Sequence, residues 1–251
     1  MRPRAFITTS WDDGHPLDLR VAELLTKYGL RGTFYVPAAT ERATMAKSEL
    51  RELARGFEIG AHTLTHLDLT RASRRRAWQE IVDSRSWAED SSGQRCVMFC
   101  PPLGRYFHRH LEMVRAAGYC GMRNGELCSL DRPRRKAGVM LMPTSVQAHP
   151  HRFPAFCRNA LKRAAIGNLW RYVANGHAAD WPQLAGALLR LAIGEGGVFH
   201  LWGHSWELQE TGQWQRLDEV LRMLGEAAHD AAPATNSEIC MVGNSAAWTS
   251  S

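Results

Sequence analysis

Apolar runs and apolar stripes alternate along the chain with two different periods. Residues 5–10 (AFITTS) form a short β-rich run. Residues 16–28 (PLDLRVAELLTKY) place Leu17, Val21, Leu24 and Leu25 at helical spacing, with Pro16 suited to a first turn and Gly29 as the stop. Residues 32–37 (GTFYVP) return to strand character. The exchange then repeats: 48–55 reads as a helix with Ser48 as N-cap, 57–62 (FEIGAH) as a strand, and 72–90 as a long helix with Trp78, Ile81, Val82 and Trp87 on its apolar side. CVMFC at 96–100 is the next strand, 109–118 a helix closed by Gly118, and 119–123 (YCGMR) a further strand. Residues 124–150 are irregular and rich in Pro, Arg and Gly, with a short strand at 139–142. Helices follow at 155–167 and 182–193, then the apolar strand 196–204 (GGVFHLWGH), an amphipathic helix at 213–227 and a strand at 237–242 (SEICMV).

Strand and helix in alternation predict an α/β fold with parallel strands and right-handed crossovers, either closed as a barrel or open and doubly wound. Neither a linker nor an internal repeat interrupts the pattern. A single domain over 1–251 is expected, with its core at about 5–227 and a C-terminal strand and tail at 228–251. The length of 251 residues and the composition, 45% hydrophobic and 22% charged, suit one large globular domain. A run of about 18 apolar residues, the minimum for a membrane span, does not occur. The opening MRPRAFITTSWDD lacks the apolar stretch of a secretory signal, so a cytoplasmic protein is expected. The six cysteines form no CxxC pair and read as free, mostly buried thiols, with a zinc site from Cys96 and Cys100 the disfavoured alternative.

The net charge is +6. Arg74-Arg75-Arg76 and Arg132-Pro133-Arg134-Arg135-Lys136 hold much of the excess. Solvated surface is the plain reading of both runs. The sharper one is attraction for an anionic substrate, a membrane surface or nucleic acid. No nucleic-acid motif accompanies the runs, so a nucleic-acid partner is not expected.

In parallel α/β architectures sites form at the carboxyl ends of strands, and the unusual polar residues of this chain fall there. Asp12 and Asp13 follow the first strand, in TTSWDDGHP; His62 and His66 follow the third; CPPLGRY follows the fourth; His200 and His204 lie on and after the late strand. Taken singly, each has an ordinary explanation: a turn, a stiff loop, a satisfied core histidine. Together, a carboxylate and two imidazoles form a divalent-cation donor set with positions left for water, and a second carboxylate and a further histidine stand ready as base and acid.

At this point the chain resembles the polysaccharide deacetylases of carbohydrate esterase family four, the NodB-homology family. Ser10-Trp11-Asp12-Asp13-Gly14 is similar to the family's first motif, His62-Thr63-Leu64-Thr65-His66 to its second and Cys100-Pro101-Pro102-Leu103-Gly104 to its third. The resemblance implies a distorted (β/α) barrel of about seven strands and a metal-dependent hydrolase acting on carbon–nitrogen, non-peptide bonds. It implies Asp12 as general base, and Asp13, His62 and His66 as ligands of one divalent metal, most often zinc, with cobalt, nickel or manganese as alternatives. It further implies the backbone of Leu103 as oxyanion donor and His204 as acid.

Three departures stand out. Cys100 replaces an Arg that in the family holds the base, and Arg123 is the preferred substitute, ahead of Arg105. Asp180-Trp181 matches the letters of the fourth motif but reads better as the N-cap of the helix that follows. His200 competes with His204 at the fifth motif. Trp11, Tyr106, Trp202 and Trp206, together with His200, are the candidate substrate contacts. The expected substrate is an N-acyl or O-acyl sugar, and a cytoplasmic setting points to a sugar nucleotide or a lipid-linked precursor. The rivals are a hydrolase of small non-sugar amides and a barrel that binds carbohydrate or an anion without catalysis.

Overall fold

The computed structural model describes residues 5–151, 153–163, 165–174 and 180–246. In chain order the elements are β1 (Ala5–Asp12), α1 (Asp18–Lys27), β2 (Gly32–Val36), α2 (Lys47–Ala54), β3 (Glu58–Ala61), α3 (Arg74–Ser92), β4 (Met98–Phe99), α4 (His108–Ala116) and β5 (Gly121–Arg123). They continue as β6 (Arg134–Lys136), β7 (Val139–Met142), β8 (Val146–Gln147), α5 (Phe153–Arg163), α6 (Ile166–Ala174), α7 (Trp181–Glu195), β9 (Val198–Gly203), α8 (Ser205–Glu210), α9 (Trp214–Glu226), β10 (Ala231–Pro233) and α10 (Asn236–Ala246).

The strand order is β6-β7-β5-β4-β3-β2-β1-β9-β8, with β10 against β1. All pairings are parallel except that of the exposed β6 with β7. One stretch of chain joins the two ends of this sheet. Met140–Met142 pair with Gly121–Arg123 of β5; beyond Pro143 the same stretch pairs Val146 and Gln147 with Leu201 and Trp202 of β9. Counting β7 and β8 as one bent stave, and setting aside β6 and β10 as additions, the sheet has the expected seven-stave curl. Short βα connections then gather the carboxyl ends of β1, β3, β4, β5 and β9 on one face.

The helices form because each has an apolar stripe to bury on the outside of this sheet: Val21 and Leu25 of α1, Leu50 and Leu53 of α2, Ile81 of α3, Leu184 and Leu188 of α7, and Leu217, Leu221 and Leu224 of α9 are all buried. Several local expectations are corrected. Trp78 of α3 is 38% exposed rather than packed. The start of α2 is capped not by Ser48 but by Glu49, whose Oε2 accepts the Ala46 N–H at 2.7 Å.

The expected strand at 237–242 is the helix α10. Adjacent Ile239 and Cys240 are both buried while Met241 and Val242 are exposed, a grouping that alternation cannot produce. A capping box sets the start: the Thr235 N–H donates to Glu238 at 2.8 Å, and Glu238 N–H donates back to Thr235 Oγ1 at 3.4 Å. None of the six cysteines is in a disulfide. Among the described residues, no helix is long and apolar enough to cross a membrane.

Candidate active site

The carboxyl end of β1 carries two carboxylates in opposite roles. Asp12 is the last strand residue, and Asp13 turns out of the strand with φ 79°, followed by Gly14 at φ 61° against Val36. A left-handed Asp is uncommon and costs on the order of 1–2 kcal/mol, a cost that surrounding contacts must offset. Here the Asp13 N–H donates to Tyr35 O at 3.1 Å, and Trp206 Nε1 donates to Asp13 Oδ2 at 2.9 Å. The remaining oxygen, Oδ1, is buried without a hydrogen bond of normal geometry. It lies 3.2 Å from His66 Nε2 and 3.5 Å from His62 Nε2.

These donor atoms lie within 4.8 Å of one another, so the expected ligand set is assembled. An orphaned carboxylate oxygen facing two imidazole nitrogens fits a divalent cation with open positions. The His62 Nδ1–H donates to Cys100 O at 2.8 Å, which leaves Nε2 with its lone pair toward Asp13. A second cluster of Asp12, His62 and the Cys100 thiol is also close enough to share an ion. Asp12 is already engaged by Arg123, however, so the Asp13 set is the better donor group.

His66 sits on a turn in which Thr63 and His66 both have positive φ, 57° and 53°. What holds that turn is Glu80, buried on α3. Its Oε2 accepts the N–H groups of Leu64 and Thr65 at 2.9 Å each, and Oε1 accepts Thr65 Oγ1 at 2.8 Å and pairs with Arg76 at 2.6 Å. Sequence reasoning missed Glu80. The signal available was a carboxylate set on the buried stripe of Ala77, Ile81, Ser84 and Ala88. Changing Glu80 to Gln removes part of this clamp, and metal affinity is expected to fall roughly 10- to 100-fold with little change in fold content. Competition with a chromophoric chelator measures it; unchanged affinity would show that the turn holds its shape without Glu80.

Asp12 is 3% exposed and Arg123 2% exposed, and Arg123 Nη2 donates to Asp12 Oδ2. Register explains the replacement of the expected Arg at Cys100. Met98 and Phe99 pair with Gly121 and Met122, so Arg123 stands level with Cys100 on the adjoining strand. The guanidinium has moved one strand across at the same height. Its plane is backed by the Trp202 ring, 4.7 Å away. Arg105, the other candidate, pairs with Asp68 at 3.0 Å instead.

His204 follows β9 and precedes α8, with Nε2 4.0 Å from Asp13 Oδ2. Its Nδ1–H donates to Glu207 Oε2 at 3.3 Å. Glu207 in turn accepts from Gln147 Nε2 at 2.9 Å and lies 3.4 Å from His149. Glu207 thus backs this imidazole, where sequence letters had offered Asp180. Asp180 holds the N-cap position of α7, as expected, though its side chain pairs with Arg216 at 2.7 Å rather than capping the helix. The cue missed was a carboxylate three residues after His204, in reach once a helix starts between them.

The cleft, about 430 Å³, is lined by Asp12, Asp13, His62, His66, Leu103, Arg123, Trp202, His204 and Trp206, together with Gln147, Asn159 and Lys162. Leu103 turns into it with φ 57° and leaves its side chain 62% exposed. Three proposed substrate contacts are corrected. Trp11 is wholly buried and donates to Thr9 Oγ1 at 3.3 Å, because side chains alternate along β1 and Asp12 takes the cleft side. His200 is a core histidine, accepting from Ser10 Oγ at 2.9 Å and donating to Pro143 O at 2.8 Å. Tyr106 is half-buried against the core and does not line the cleft.

Electrostatics separate the groups. Burial pushes the Asp12 carboxyl up, but the Arg123 guanidinium, with the charge of His204, outweighs it and leaves it below the usual range. Burial also opposes ionisation of Asp13, and the close approach of His66 Nε2, the other imidazoles around it and the Trp206 N–H outweigh it and leave the carboxyl well below its usual value. Burial lowers His62 to about 4 and His200 to about 3, so both are neutral. His204 goes the other way: burial lowers it, but the Glu207 hydrogen bond and the Asp12 and Asp13 charges raise it overall.

Fold and site together define a class: a parallel α/β barrel with a carboxylate–bis-imidazole donor set at its strand ends, beside a separate carboxylate and a protonatable histidine. Residues 2–122, just under half of the chain, match the family model for polysaccharide deacetylases. The match includes Asp12, Asp13, His62 and His66 and stops one residue before Arg123. YxkH of Bacillus subtilis, itself assigned as a polysaccharide deacetylase, is 25% identical over 117 residues, 45% of this chain and 42% of that protein. The peptidoglycan-N-acetylmuramic acid deacetylase PdaC of Bacillus subtilis is 32% identical over 100 residues, 39% of this chain and 21% of that protein. These matches span less than half the length of either relative. A Mycobacterium smegmatis protein assigned to the polysaccharide deacetylases has the same fold, with TM-score 0.69 at 17% identity over 94% of this chain and 90% of that one.

Proposed function

We propose that this chain is a metal-dependent deacylase that hydrolyses an N-acyl group on a sugar or sugar-bearing precursor. The observation that carries the reading is the division of labour at the end of β1. Asp13 is aimed at His62 and His66, while Asp12 is held apart from that set by Arg123. A divalent ion at Asp13, His62 and His66, zinc being the best match to one carboxylate and two imidazoles, would polarise the acyl carbonyl and acidify a bound water.

The chain's own groups then act in sequence. Asp12, kept ionised by Arg123, accepts the proton of the attacking water. The backbone N–H of Leu103 donates to the oxygen that gains charge in the tetrahedral intermediate. His204, kept protonated by Glu207, delivers a proton to the departing amine. Trp202 and Trp206 supply apolar walls against which a sugar ring can stack. The supplied guanidinium at Arg123 argues against the binding-only rival, whose main support was Cys100.

Metal analysis with an acyl-release panel tests the reading. Purified protein is expected to hold about one divalent ion per chain, consistent with a single three-residue donor set. Metal-loaded protein should release acetate or formate from some member of a panel of acylated glycans, sugar nucleotides, lipid-linked sugars and small amides. Release confined to small amides would favour the non-sugar hydrolase, and release from none would favour a binding module. If Asp13→Ala and His66→Ala keep wild-type metal affinity, the ligand assignment fails.

A pH profile tests the acid. Its carboxylate partner raises His204, so the Glu207→Gln variant should lose the His204 proton at lower pH. The alkaline limb of kcat is expected to move toward lower pH, and kcat at neutral pH to fall by about tenfold. Both enzymes carry the same ion, so its field cancels in the comparison. Coincident alkaline limbs would remove Glu207 from this role.

A further inference from the structure

We propose that the groove between α3 and α4 is a second ligand site, one that takes a phosphate-bearing group. The groove is about 740 Å³ and is lined by Arg74, Arg75, Trp78, Arg109, Glu112 and Arg115. Four guanidiniums against one carboxylate leave the lining at +3 (4 − 1). Among the described residues none of the four forms an ion pair with an acid. Glu112 faces His108 at 3.8 Å, and the neighbouring Arg76 is taken by Glu80 at 2.6 Å. Arg109 lies over the Phe107 ring at 4.6 Å.

The other basic run is different in kind. Arg134 pairs with Glu126 at 3.2 Å, and Arg132 donates to Gly196 O at 3.1 Å and lies over Phe6. Those cations are occupied by the protein's own groups, whereas the α3–α4 cations converge on a concavity.

Scattered exposed arginines need no ligand. Convergence with an aromatic wall is what distinguishes this set. Trp78, 38% exposed, lines the groove about one turn along α3 from Arg74 and Arg75 and offers part of its indole to it. Guanidinium forks match phosphate oxygens bidentately, and an aromatic face beside them suits a sugar or other flat apolar neighbour of the phosphate. Arg74 and Arg109 lie in the first turns of their helices, at the strand-end face, and α4 begins four residues beyond Gly104 of the catalytic cleft. A ligand anchored here would have its remainder near the cleft rim. The site does not depend on catalysis, so its test is separable from that of the deacylase.

Calorimetric titration with glucose 1-phosphate, and co-sedimentation with phosphatidylcholine vesicles with and without phosphatidylglycerol, read the two sources of phosphate. Wild type and the Asp13→Ala variant should bind equally, because the groove is separate from the donor set. The triple variant Arg74→Ala/Arg75→Ala/Arg109→Ala should bind about tenfold more weakly or worse, while Arg51→Ala, an exposed change on α2, should bind as wild type. Single Arg109→Glu gives the same direction should the triple variant not fold. Binding of the soluble ester alone assigns the site to a free phosphate ester, and binding of anionic vesicles alone assigns it to a lipid headgroup. Wild-type binding by the triple variant, loss of binding in Asp13→Ala, or no binding of either probe overturns the proposal.

Discussion

Asp12→Asn is expected to lower kcat by roughly 100- to 10,000-fold while metal content stays that of wild type. The side chain is not in the donor set: its Oδ2 is held by Arg123, and its other oxygen, Oδ1, is buried without a partner on the same side as the cleft. The amide preserves size and an acceptor for Arg123 but cannot take a proton. Loss of rate with full metal occupancy therefore isolates proton acceptance. Activity within a few-fold of wild type would move the base elsewhere, and loss of the ion would place Asp12 among the ligands beside His62 and Cys100.

The largest stability effect is expected at Arg123. Replacing it with Met keeps bulk but leaves Asp12 buried without its cation, and breaking a buried pair in this way costs about 3–5 kcal/mol. Denaturant unfolding at neutral pH should show that loss. The pH dependence has a definite sign. Asp12 is depressed in the folded state, so its pairing stabilises above the ordinary carboxylate value near 3.8 and fades as pH falls through and below it. The gap between wild type and Arg123→Met should therefore narrow in acid. In the variant, burial without Arg123 pushes the Asp12 carboxyl up, so the acid limb of kcat should move to higher pH. Adding Cys100→Arg to Arg123→Met returns a guanidinium to the neighbouring strand at the same level and should recover part of both losses. A constant stability gap across pH would mean that the pair contributes packing rather than charge.

Much of this site is legible from local pattern. Asp12, Asp13, His62 and His66 stand where strand runs give out, and strand ends are where a parallel barrel opens to ligands. His204 was separable from His200 on the same ground, being past the end of β9 rather than within it. Alternation also carries information about Trp11: with Asp12 facing the cleft, Trp11 must face the helices. The strand expected at 237–242 failed because its apolar run outweighed the Thr235–Glu238 capping box, a local signal for a helix start.

Other features depend on contacts between distant segments. Arg123 reaches Asp12 only because β4 and β5 pair in a register that sets it beside Cys100. Glu80 reaches the His66 turn only because α3 packs back across β3. The left-handed backbone at Asp13, Thr63, His66 and Leu103 has no signature in residue type, since none of them is glycine. Such conformations are disfavoured locally and persist only where the fold supplies hydrogen bonds to hold them. The chain's periodicities and strand-end residues were enough to read a parallel barrel and its candidate donor set, because those follow from near-neighbour geometry. The partners that tune each group, Arg123 for Asp12 and Glu207 for His204, required the assembled barrel. Buried charges are stabilised by whatever counter-charge lies within a few ångströms in space, and that distance is set by packing rather than by order along the chain.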